Sequence, residues 1–145
     1  MYDKLQLRGL VEKDPRYKLN AYYYVLETLD FAHSRLGMGS VPSRLAVSKI
    51  EEDVDEPEYS IMHISGAELC QAILLRARWM FGYMAKVVFN EWGAFTTDDF
   101  GEIVFNMVEA GKIRLAKGEG KDDFHNVYDF QTVFCDDFHF PQNAS

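Results

Sequence analysis

The chain has 145 residues, 48% hydrophobic and 14% aromatic, which is the size and apolar content of one domain with one core. Fifteen Lys and Arg against twenty-three Asp and Glu leave a net charge of −8, which repels phosphate backbones over most of the surface and confines any nucleic-acid contact to a local basic patch. Cys70 and Cys135 form no CxxC pattern and read as reduced thiols of a cytoplasmic protein, with Cys70 in the core.

The first stretch, "MYDKLQLRGLVEKD", is not continuously apolar and does not read as a secretion signal; no span approaches the ~18 to 20 apolar residues of a membrane helix. "DPRYKLNAYYYVLETLDFAHSRLGMG" predicts a long helix, with Asp14 as its cap, Pro15 in its first turn and Gly37 or Gly39 at its end. Tyr22, Val25, Leu26, Leu29 and Leu36 form one stripe, and Tyr17, Tyr24 and Phe31 a second. Two apolar faces fit a helix packed on both sides. Tyrosine also suits a protein contact, so Tyr17, Tyr23 and Tyr24 are candidate interface residues.

Residues 38–62 read as an acidic loop inside the domain, six acids standing around Pro57. Such a run is the composition of solvated chain. The next helix begins at Ser65, where Ser65 and Glu68 match a capping box. Cys70, Ile73, Ala77, Met80, Met84 and Val87 follow helical spacing and read as core, with a Met-lined ligand groove as the alternative. Gly82 predicts a kink or a close helix approach.

Trp92 and Gly93 end that helix, and Thr96 or Thr97 with Asp98 and Asp99 starts another. Phe100, Ile103, Val104, Met107 and Val108 form its apolar stripe, which stops before Gly111. From Lys112 the period changes to two, and Gly118 and Gly120 supply a turn, so Lys112–Lys117 reads as the first arm of a β-hairpin. If "FHNVYDF" is the returning strand, the unit resembles a winged helix; if it is helical, the wing vanishes. "DFHNVY" and "DFQTVF" are near-copies, too few for a solenoid. They read as aromatic anchors, Phe124, Tyr128, Phe130 and Phe134, that fasten the tail to the domain. Residues 141–145 are expected to fray.

The expected architecture is therefore mainly α with some β: one helical domain over residues 1–140 with a short C-terminal β-hairpin. As a nucleic-acid reader the helix from Thr97 carries Asp98, Asp99, Glu102 and Glu109 and no Lys or Arg, which suits it badly to base edges. Lys112, Arg114, Lys117 and Lys121 make the one basic patch that could contact phosphates; as an exposed hairpin, the same lysines would instead guard a sheet edge. Nothing resembles a phosphate loop, a nucleophile elbow or an HExxH helix. Cys135, Asp136, Asp137 and His139, with His125, form a sparse metal-ligand set. Asp98 and Asp99 beside Glu102, with His33 or His63, could supply acid–base chemistry, but helix capping accounts for the acids. No catalytic residue, metal or cofactor is assigned.

At "DPRY", "HISGAELCQAI", "FGYMAKVVFNEWG", "TDDFGEIVFNMVEAGKI" and "DDFHNVYDF" the chain resembles an uncharacterised family of short bacterial proteins of planctomycete and verrucomicrobial type. No activity or ligand is attached to that family, so the resemblance carries no site residue over. The full core, the aromatics, the acidic surface and the lack of a catalytic constellation favour a non-catalytic interaction module, working through a protein partner or self-association. A nucleic-acid-associated protein with a basic wing is the alternative.

Overall fold

The computed structural model describes residues 7–34, 61–62, 64–115 and 120–136. Chain order gives α1 (Arg8–Lys13), α2 (Leu19–Ser34), β1 (Ile61–Met62), α3 (Gly66–Phe81), a 3-10 turn (Gly82–Met84), α4 (Ala85–Glu91), α5 (Thr97–Glu109) and β2 (Arg114–Leu115). A 3-10 turn (Lys121–Phe124) and a π-helical turn (Gln131–Asp136) complete it.

Two helices start where local chemistry directs. Ser65 Oγ accepts from the Glu68 N–H at 3.0 Å while the Glu68 carboxylate accepts from the Ser65 N–H at 3.0 Å, the reciprocal box that satisfies two orphan donors. At α5 the Asp99 carboxylate reaches back to the N–H groups of Phe95 and Thr96. Gly82, with φ 59° and ψ −139°, ends α3, and the chain restarts as α4 after one tight turn.

The first helical segment differs from expectation. Asp14 closes α1 instead of capping α2, which begins at Leu19. Its carboxylate is engaged elsewhere: it accepts from the Arg16 guanidinium at 2.9 and 2.7 Å and from the Asn106 amide, on α5, at 2.9 Å. A local partner, Arg16, and a tertiary one, Asn106, together occupy it.

The C-terminal β-hairpin, and with it the winged helix, is not formed. β2 runs parallel to β1, with Ile61 opposite Arg114 and Met62 opposite Leu115, so its partner lies some fifty residues upstream. The "FHNVYDF" segment follows a 3-10 turn and leads into the π-helical turn, so there is no returning strand. The described fold is mainly α, with one two-residue parallel pairing. Period-two alternation is satisfied by any strand partner, and here the partner is remote in sequence. The acidic run before Ile61 and residues 141–145 lie outside the described residues.

One core gathers buried side chains from α1 to the π-helical turn. Its centre is Phe89, whose ring lies 5.0 Å from that of Phe100, 5.4 Å from Tyr24 and 5.6 Å from both Phe130 and Phe134. These are edge-on and tilted arrangements, in which ring edges meet the π faces of neighbours. The aromatic anchors behave as expected: Phe124, Phe130 and Phe134 are buried, and the Tyr128 hydroxyl donates to the Cys70 carbonyl at 2.6 Å. Phe124 seats between Gly66 on α3 and Gly101 on α5, both so close that a Cβ at either would stand 2.9 Å from it. Gly93, at φ 99°, lets the end of α4 meet the chain at Arg16, and the Lys18 N–H donates to the Trp92 carbonyl at 3.0 Å.

Candidate interaction face

The apolar residues of α3 divide between two sides. Leu69, Cys70, Ala72, Ile73 and Ala77 are fully buried, while Leu75 and Trp79, one turn apart on the opposite side, face outward. Trp79 is 81% exposed. The outward series continues past Gly82 with Tyr83 and Val87, 55% and 54% exposed, and Met80 and Met84 lie beside it.

This outcome corrects the expected core stripe in its second half. Cys70, Ile73 and Ala77 are core, but Met80, Met84 and Val87 are substantially exposed. Counting by three and four through Gly82 assumes one unbroken helix. The turn there resets the phase, and α4 buries Ala85 and Phe89 instead. Leu75 and Trp79, four residues apart within α3, stand opposite its buried side, and the packing of that helix decides that they face outward.

Acids stand at both ends of this stretch, Glu68 in the first turn of α3 and exposed Glu91 at the end of α4. From Leu69 to Asn90 the chain carries Arg76, Arg78 and Lys86 and no acid, in a protein of net charge −8. Arg76 is occupied by Glu27 at 3.0 Å, by the Thr28 hydroxyl at 3.0 Å and by the Tyr24 ring face; Arg78 donates to the Val133 carbonyl at 2.7 Å. Lys86 has no ion-pair partner among the described residues.

The tyrosines proposed as an interface are placed differently. Tyr17 and Tyr24 are buried, and Tyr23 is partly buried against the core. The Tyr17 hydroxyl donates to Asp99 at 2.6 Å and the Tyr24 hydroxyl to the Ile73 carbonyl at 2.9 Å. Burial pushes the pKa of both phenols up and keeps them neutral, and at Tyr17 the hydrogen bond to Asp99 and its charge add to the shift. Both are core side chains with a satisfied polar tip.

The basic patch is not assembled as a wing. Lys121 reaches Glu102 at 3.3 Å and lies over the Phe105 ring, Lys112 is partly exposed, Arg114 contributes backbone to β2, and Lys117 lies outside the described residues.

The polar side chains near the start of α5 and the end of α1 are engaged in two clusters. Hydrogen bonds from Arg16 hold the Asp14 carboxyl well below the usual range, and Asn106 donates to both Asp14 and the Tyr22 hydroxyl. His125 Nδ1 lies 2.9 Å from Asp98, which also accepts the Asn126 N–H at 2.9 Å. Those two hydrogen bonds lower the Asp98 carboxyl, and the Asp98 side chain raises the His125 imidazole. The pair borders an open cleft of about 340 Å³ with Phe95, Tyr128 and Asp129. The expected acid–base partners of Asp98 and Asp99 were His33 or His63, with His125 in the sparse metal-ligand set; the Asp98–His125 pairing arises because the 3-10 turn packs on α5. His33 sits in the last described turn of α2, and His63, Asp137 and His139 lie outside the described residues. Among the described residues no three His, Cys, Asp or Glu side chains converge as metal ligands.

No described helix is long and apolar enough to cross a membrane. Comparison with family models, with curated proteins and with solved structures found no match.

Proposed function

We propose that the protein is a non-catalytic interaction module that binds protein through the outward side of α3 and α4: Leu75, Trp79, Met80, Tyr83, Met84 and Val87. The observation that carries this reading is Trp79, the most exposed large apolar residue described, at the middle of a stripe that is apolar from Leu75 to Val87. An aromatic side chain of ~150–250 Å² left in water forgoes about 4–6 kcal/mol of burial free energy, a disposition that suits a surface awaiting cover. Trp and Tyr are also the side chains that most often anchor protein interfaces.

Asp14, Asp98, Asp99 and Glu102 are each engaged in holding one segment to another. The nucleic-acid alternative has lost the wing it rested on.

A photo-activatable phenylalanine placed at Leu75 or Val87, with exposed Glu12 as control, tests the proposal in cells that make the protein. A discrete protein adduct from the two face positions and none from the control is expected. Equal, featureless labelling at all three positions would overturn it.

A further inference from the structure

We draw no further inference here: the strongest candidate, the open cleft that the Asp98–His125 pair borders with Phe95 and Asp129, rests on the N-terminus of α5 and a pair of exposed acids, and no buried, unpartnered polar side chain points into it to say what would fill it.

Discussion

Replacing Gly101 by alanine sets two effects of known sign against each other. Gly101 lies inside α5 with helical backbone, so alanine there should gain about 1 kcal/mol of helix propensity. Against this, the new Cβ would stand 2.9 Å from Phe124 Cβ and 3.1 Å from its Cγ. Those are the near end of a fully buried side chain, itself held by Gly66 on the other side, so it cannot swing away. Overpacking of a well-filled core costs about 1–3 kcal/mol, and the obstruction from two sides puts this case at the upper end. The net expectation is a loss of about 1–2 kcal/mol. At ~2–4 °C per kcal/mol for a chain of this size, the melting temperature falls by about 2–8 °C. In a Phe124→Ala background, which removes Cγ, Cδ1 and the ring wedged against Gly66, the loss from the same change should shrink. Denaturant melts of the four proteins in this double-mutant cycle read the coupling directly. An equal loss in both backgrounds would refute the socket and attribute the glycine to some other demand of the helix.

Gly93→Ala should be more damaging, about 3 kcal/mol or more by chemical denaturation. The backbone at φ 99° disfavours any L side chain, and the Cβ would overlap the Arg16 carbonyl oxygen, prising apart the Lys18 to Trp92 hydrogen bond. The His125 imidazole should titrate above 6.5 by NMR, and Asp98→Asn should return it toward that value. Its contribution to stability is full below pH 6.5 and lost as pH rises through the raised pKa, while that of Asp98 is present above pH 3.8 and lost as pH falls through the lowered one. The pair therefore tightens the 3-10 turn against α5 between those limits, and a flat profile in Asp98→Asn alone identifies it. With a thiol reagent at pH 8, one equivalent should react rapidly, at exposed Cys135; Cys70, buried and with its thiol pushed up to about 12, should react only on unfolding. Two rapid equivalents would contradict the packing of α3.

Where local interactions suffice, the amino-acid sequence by itself determined the result. The Ser65–Glu68 box, the stop at Gly93, the start near Thr96 and the stripe from Phe100 to Met107 each depend on groups within one or two turns, so they are readable without a fold. The aromatic repeat likewise announced its anchors, because Phe124, Phe130 and Phe134 have nowhere favourable to go but the core. Tertiary structure decided what depends on groups far apart in sequence. Asp14 also accepts from Asn106, ninety-two residues away, beside its local partner Arg16, and β2 paired with Ile61–Met62 instead of folding back. Tyr17 and Tyr24 went inward because buried acceptors were waiting for their hydroxyls, while Trp79 went outward because α3 had already spent its other side on α2 and the Phe124 turn. An amphipathic helix specifies that it has two sides; only the packing of its neighbours determines which apolar residues are left facing water.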